Sequence, residues 1–309
     1  MSFAFFFPGQ GSQSLNMMGG FDGQAVVKAT FDEASQVLGQ DLWAMMNGSD
    51  ADLIGQTVNT QPLMLVAGVA TYRAYLEAGG KAPAAAAGHS LGEYTALVAA
   101  GALDFADAVK LVRLRAMLMQ NAVPQGVGAM AAVLGLDDGQ VKMLCDEAAR
   151  GEVVEAVNFN SPGQVVIAGH TAAVERAMNL AKEAGAKRAL PLPVSVPSHC
   201  SLMRPAADKL AEALADLTVS APQIRVVHNA DVAAYEDAGK IKDALVRQLY
   251  SPVRWTETVN ALVEEGIKES AECGPGKVLA GLAKRINKEA VCSALTDAGQ
   301  VAAFAQAHR

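Results

Sequence analysis

Apolar residues first cluster at Phe3-Ala4-Phe5-Phe6-Phe7, a short unbroken run closed by Pro8-Gly9-Gln10-Gly11. A run of that length ending in breaker residues predicts a buried strand. Helical periodicity follows over 24–38 and over about 61–78. Residues 84–87 are small and apolar, and lead into Gly88-His89-Ser90-Leu91-Gly92. Two more helices are predicted over about 91–101 and 104–122. Strands alternating with helices imply a mostly parallel sheet covered on both faces.

Pro124-Gln125-Gly126-Val127-Gly128 breaks that rhythm. Beyond it the pattern predicts strand 129–134, helix 137–149, strand 153–159, a turn at Asn160-Ser161-Pro162-Gly163, strand 164–168, helix 171–184 and strand 187–194. This β-α-β-β-α-β order is that of a ferredoxin-like unit. Pro191, Pro193 and Pro197 mark the return. Alternation then resumes with helix 201–216, strand 224–228, helices 239–250 and 253–265 and strand 267–272. Gly274-Pro275-Gly276 turns into a last helix. The expected fold class is α/β: a mostly parallel sheet with flanking helices, resembling an α/β-hydrolase core, plus a small ferredoxin-like α+β domain. The large catalytic domain is discontinuous, 1–123 and 197–309, with the small domain inserted at 124–196. The cleft between two such domains is a common ligand site.

Composition narrows the function classes. The 309 residues are 51% hydrophobic and 18% charged, which supports a folded core rather than a disordered chain. A net charge of −7 argues against nucleic acid or an anionic membrane as a partner. No run reaches the ~18 apolar residues of a membrane span. The apolar start is too short for a signal-peptide core and lacks a basic leader. Cys145, Cys200, Cys273 and Cys292 form no CxxC pair and no metal-ligand spacing. They read as reduced thiols of a cytoplasmic protein, with no metal site.

The sharpest chemical signal is Gly88-His89-Ser90-Leu91-Gly92, a G-x-S-x-G match. Such a serine sits on a strained strand-to-helix turn that exposes its hydroxyl at the end of a strand. The turn aims the next backbone N–H and the helix dipole at the reacting oxygen. The pentapeptide alone could arise by chance in a glycine-rich chain; a strand before it and a helix after it favour the nucleophile. A serine also needs a base. His89 should point away from Ser90, His308 is terminal, and His170 follows a strand of the small domain. His199, at the loop re-entering the large domain, is favoured, with His228 at a strand end as the rival. No acid stands out between Ser90 and His199, which hints at a dyad whose imidazole is held by a carbonyl or amide.

Arg115 has Leu111, Val112, Leu118 and Met119 as its helix neighbours, so its guanidinium starts from an apolar face. A buried, unpaired arginine is expensive and needs an anion. That anion is either an internal carboxylate or the carboxylate of a substrate held bidentately; a stem snorkelling to water is the third possibility. Two other motifs fail: Gly9-Gln10-Gly11-Ser12-Gln13-Ser14 lacks the third glycine of a dinucleotide loop, and Gly274-Pro275-Gly276-Lys277-Val278 lacks the spacing of a phosphate loop.

Taken together, Phe7-Pro8-Gly9-Gln10-Gly11-Ser12-Gln13, Gly88-His89-Ser90-Leu91-Gly92-Glu93-Tyr94, Arg115 and Pro197-Ser198-His199 resemble the malonyl-CoA:acyl-carrier-protein transacylases of bacterial-type fatty acid synthesis. The resemblance spans essentially the whole chain, including Asn229, Arg247-Gln248-Leu249 and Gly274-Pro275-Gly276. It implies Ser90 as nucleophile and His199 as base, with Gln10 and Leu91 giving backbone N–H groups to the oxyanion. It implies Arg115 as the clamp on the malonyl carboxylate and Gln248 as the orienter of His199. The implied partners are malonyl-CoA and acyl carrier protein; the coenzyme A thioester is a substrate, and no metal or redox cofactor is needed. Ser198, before the histidine, also resembles the pattern of branched-substrate relatives, so methylmalonyl stands as the alternative donor. A serine thioesterase and a non-catalytic scaffold are the rival classes. An acidic carrier meeting an acidic chain needs a local positive patch; the candidates are Lys187, Arg188, Lys284, Arg285 and Lys288, against ordinary solvated charge.

Overall fold

A computed structural model describes residues 2–194 and 196–309. The first strand β1 (Phe3–Phe7) is followed by helices α1 (Ala25–Leu38), α2 (Leu42–Met46), α3 (Ala51–Gly55) and α4 (Thr57–Glu77). Strand β2 (Ala85–Gly88), α5 (Gly92–Ala99) and α6 (Phe105–Gln120) come next. The middle stretch holds β3 (Gly128–Leu134), α7 (Asp138–Ala149), β4 (Val154–Ser161), β5 (Gln164–His170), α8 (Thr171–Glu183) and β6 (Arg188–Pro191). Then follow α9 (Arg204–Ala215), β7 (Arg225–Val227), α10 (Ala238–Gln248), α11 (Trp255–Glu264), β8 (Glu269–Cys273), α12 (Val278–Ile286), β9 (Val291–Leu295) and α13 (Ala298–Ala307).

Two sheets result. The first is wholly parallel, in the order β7-β2-β1-β8-β9, with Phe5 opposite Ala86 and Ala271. Counted along the chain this is the 3-2-1-4-5 order of a doubly wound sheet, in which ligands bind beyond the carboxyl ends of the strands. Its central strands are apolar on both sides because helices cover both faces. Phe3, Phe5 and Phe7 face α4, while Phe6 packs on Trp255. Helix α4 is buried almost all round, so it has no polar face for a periodicity to reveal. The second sheet is antiparallel, β4-β5-β3-β6, with α7 and α8 packed on it over their own apolar core. Asp137 and Gln140 form a reciprocal capping box that fixes the start of α7. The other face of this sheet packs through Met130, Val157, Val166 and Ala168 onto Cys200, the neighbour of His199.

Three expectations need correction. The helix after Gly274-Pro275-Gly276 is not the last element: β9 and α13 follow it. β9 is an edge strand, Val-Cys-Ser-Ala-Leu, and lacks the dense β-branched run that announces a central strand. The second helix starts at Thr57 rather than about 61, with Pro62 inside it and the short α2 and α3 before it. Thr60 Oγ1 donates to the Ile54 and Gln56 carbonyls, which ties that early turn together. The strand expected over 187–194 ends at Pro191; the Leu192 N–H still donates to the Met130 carbonyl, and Pro193 then has no N–H to carry the pairing on. No described helix is long and apolar enough to cross a membrane.

Candidate active site

The carboxyl ends of β1, β2 and β7 converge on one point. Ser90 follows β2 at φ 52, in the left-handed region that a serine rarely enters. The glycines on either side are obligatory for this turn. A Cβ on Gly88 would lie 1.8 Å from the Gly92 carbonyl carbon, and one on Gly92 would lie 2.0 Å from the Phe7 oxygen. The elbow is thus pressed against the end of β1, which brings the Gly9-Gln10 turn beside the nucleophile. Neither the Gln10 nor the Leu91 N–H has an acceptor among the described residues, and both residues line the cavity that holds Ser90.

His199 is brought in by the loop that precedes α9. It too has a positive φ, of 67°, and its main-chain N–H donates to the Leu249 carbonyl. Ser90 Oγ and His199 Nε2 are 2.7 Å apart. On the far side Nδ1 lies 2.8 Å from the Gln248 carbonyl oxygen. A carbonyl only accepts, so Nδ1 carries the proton and Nε2 is left free to accept from Oγ. Gln248 therefore meets the imidazole through its main chain. Its side chain turns elsewhere, so of the carbonyl and the amide left open as holders of the ring it is the Gln248 carbonyl that lies against Nδ1. His228, the rival base, is placed apart: it is fully buried, and its Nδ1 donates to Glu93 at 2.6 Å. His89 points away from Oγ and bonds Asn160 of β4 at 2.8 Å.

Arg115 enters from α6 and is only 1% exposed. Its two terminal nitrogens donate to Gln61 Oε1 and Gln248 Oε1, both at 2.8 Å, and one lies 3.3 Å from Ser90 Oγ. The guanidinium lies over the Tyr94 ring at 5.3 Å. No carboxylate among the described residues pairs with it directly, so the internal salt bridge is not formed. Arg113, two residues away, instead bonds Gln40.

Burial, aided by the Arg115 charge, pushes His199 down from the usual histidine range to about 3, against its bond to the Gln248 carbonyl. Burial lowers His89 as well, opposed by its bond to Asn160. Both imidazoles are thus held neutral, which is the form a base requires. Between about pH 3 and 6.5 the unfolded chain binds protons that His199 refuses when folded, so stability falls as pH drops through that window. For activity, kcat/KM for acylation is expected to stay flat from pH 7.5 down to about 5. A half-loss near pH 6.5 would mean that His199 is not the depressed base.

A cavity of about 400 Å3 runs from this point between the two sheets. Gln10, Ser90, Arg115 and His199 line its floor, β3 to β5 contribute Met130, Asn160 and Gln164, and α12 contributes Leu279 and Leu282. Of the charged candidates, Lys187 and Arg285 line a neighbouring cleft that shares Gln164 with the cavity. Arg188, Lys284 and Lys288 are exposed but do not line it. No group of three or more metal-ligating side chains occurs among the described residues.

Some participants were not singled out from the sequence. Gln61, the second oxygen on Arg115, stands as a polar residue before the apolar run of α4. Glu93 stands inside the elbow motif itself, a charge at the head of an otherwise apolar helix. Asn229 belonged to the resemblance without a role; its side chain accepts the Ser90 N–H at 2.8 Å and donates to the Gly88 oxygen at 2.7 Å.

A strained serine on an elbow, a neutral histidine on its hydroxyl and two backbone donors beside it define a serine-dependent acyl-transfer site. The comparisons agree. The acyl transferase domain family matches residues 4–302. The malonyl CoA-acyl carrier protein transacylase of Escherichia coli (strain K12) is 57% identical over 302 residues, 97% of this chain and 98% of that protein. A solved malonyl CoA-acyl carrier protein transacylase from Coxiella burnetii superposes with a TM-score of 0.98 at 48% identity, covering 100% of this chain and 98% of that one. A malonyl-transacylase solved in complex with a holo type II PKS acyl-carrier protein gives a TM-score of 0.98 at 52% identity, over 99% and 100% of the two chains. The chain belongs to the malonyl CoA-acyl carrier protein transacylase family of acyl transferases.

Proposed function

We propose that this protein moves a malonyl group from malonyl-CoA to the phosphopantetheine thiol of acyl carrier protein, through an ester on Ser90. The observation that carries the reading is Arg115: a buried cation 3.3 Å from the nucleophile whose direct partners are neutral amides. Malonyl carries its carboxylate one methylene from the thioester carbonyl, which suits a cation beside the attacking oxygen. His199 Nε2 takes the Oγ proton as Oγ adds to the thioester carbon. The Gln10 and Leu91 N–H groups receive the oxyanion. The C–S bond then breaks and coenzyme A leaves as the thiol, with the proton from His199. In the second half the carrier thiol gives its proton to His199, attacks the ester and releases Ser90. The exchange is ping-pong and draws on no metal or redox cofactor. The compartment we assign is the cytoplasm.

The deciding experiment is intact mass spectrometry after brief mixing with malonyl-CoA. A single malonyl adduct, discharged by holo carrier protein and only slowly by water, is the expected result. Fast discharge by water would make the protein a thioesterase, and no adduct at all would make it a scaffold. Ser198 lines the cavity, so methylmalonyl-CoA in the same assay measures the branched-donor alternative.

We place the carrier's acidic surface over the cleft of Lys187 and Arg285, beside the mouth shared through Gln164. Reversal of Arg285 to Glu, or of Arg188 to Glu, should weaken carrier use and flatten its salt dependence while sparing acylation by malonyl-CoA. Equal loss in both half-reactions would count against this surface. Arg285 is expected to matter more, because Arg188 lies outside the cleft.

A further inference from the structure

Glu93 lies in the first turn of α5, three residues after Ser90, with 0% exposure. A buried carboxylate is costly unless it is fully bonded. Its Oε1 accepts from His228 Nδ1 at 2.6 Å. Its Oε2 accepts from the Asn229 N–H at 3.0 Å and from Gln248 Nε2 at 2.8 Å. Those last two residues both hold the nucleophile. The Asn229 side chain takes the Ser90 N–H, and Gln248 Nε2 also donates to the Ser90 carbonyl at 3.0 Å. Both main-chain groups of Ser90 are therefore gripped by amides that one carboxylate oxygen anchors. A serine at φ 52 stays there only if its surroundings over-determine it.

The same carboxylate reaches the base and the cation through Gln248. The Gln248 amide lies between two buried charges, Oε1 toward Arg115 and Nε2 toward Glu93. Turning it round would face its oxygen to a carboxylate and to the Ser90 carbonyl, and its NH2 to a guanidinium. Its own main-chain carbonyl is the acceptor for His199 Nδ1. Glu93 thus sets the one residue that holds both His199 and Arg115, and supplies the negative charge that Arg115 lacks among its direct partners.

We propose that Glu93 is a positioning residue for acyl transfer, fixing Ser90, His199 and Arg115 through Asn229 and Gln248. The proposal rests on the reading that Ser90 is the residue acylated. The test uses Glu93→Gln and Glu93→Asp in two assays. One is single-turnover acylation by malonyl-CoA; the other is inactivation by an uncharged fluorophosphonate, whose phosphorus Oγ attacks with loss of fluoride, its proton passing to His199, and without need of the Arg115 clamp. A displacement of about 1 Å away from the chemistry can cost about 10²-fold. Glu93→Gln should lower kcat of acylation by about that factor with KM changed far less, and should slow phosphonylation in parallel. Glu93→Asp keeps the charge but is one methylene short, so it should recover part of both rates. His228→Asn, which touches only Oε1, should change neither rate by as much as Glu93→Asp does.

A folded Glu93→Gln enzyme with parent rates, or one that loses only melting temperature, overturns the proposal. If Glu93→Gln does not fold, Glu93→Asp decides alone, and parent rates in that folded variant overturn it equally. A parent enzyme that takes the phosphonate but forms no malonyl ester overturns the donor assignment instead, and Glu93 is then judged on the phosphonate rates.

Discussion

Ser90→Ala and His199→Ala are each expected to lower malonyl transfer by about 10³-fold or more, and the double variant to be little worse than either single. The reason is the 2.7 Å contact between Oγ and Nε2. Without the base, Oγ is an ordinary alcohol; without Oγ, the base has only water to activate. What survives in every variant is the oxyanion site and substrate binding, which do not depend on the pair. Burst acylation and steady-state transfer measure this directly. Losses that multiply in the double variant would show that the two residues act independently. Ser90→Ala must also abolish the covalent adduct entirely, whereas His199→Ala leaves the hydroxyl in place and retains a slow adduct. Replacing His228 should cost stability rather than chemistry, because its partner Glu93 Oε1 is left buried and unpaired. If it lowers the rate as much as His199→Ala, the base has been misassigned.

Arg115→Ala should lower kcat/KM for malonyl-CoA by roughly 30- to several-thousand-fold, the equivalent of about 2–5 kcal/mol for breaking a buried charged pair. Malonyl and acetyl thioesters differ by one carboxylate, so a preference for malonyl has to be read as charge. An acetyl group leaves the guanidinium desolvated with nothing but the Gln61 and Gln248 oxygens, which penalises the wrong donor. In the variant that penalty disappears, and acetyl or longer uncharged donors should become comparatively better. Arg115→Lys should recover only part of the loss, because a point charge cannot hold two glutamine oxygens and a carboxylate as the planar fork does. The substitution also strands Gln61 Oε1 and leaves Glu93 without its distant counter-charge, so unfolding stability is measured alongside. An alanine variant that folds and still prefers malonyl removes Arg115 from the clamp. Arg113→Ala, whose partner Gln40 lies outside the cavity lining, should show neither effect.

Most of the order of elements, the elbow at Ser90 and the apolar setting of Arg115 are local properties, and the sequence alone determined them. Strand-forming runs, breakers and glycines on both sides of a serine act over a few residues, so spacing reveals them. The two-sheet layout was legible for the same reason, as a change from β-α alternation to a β-α-β-β-α-β block. The edge strand β9 and helix α13 were missed because a short strand of small residues, half exposed, carries little pattern of its own. What only the tertiary structure decided is which distant groups meet. The sequence left His199 and His228 as rivals, since both lie near the ends of elements; packing put one imidazole on Oγ and the other on Glu93. It also decided that Gln248 holds the histidine by its carbonyl while its amide spans Arg115 and Glu93. Hydrogen bonds between residues 109 to 158 positions apart leave no periodicity in the chain. They exist only once β1, β2 and β7 are side by side and the loop before α9 has been pressed onto them by the antiparallel sheet.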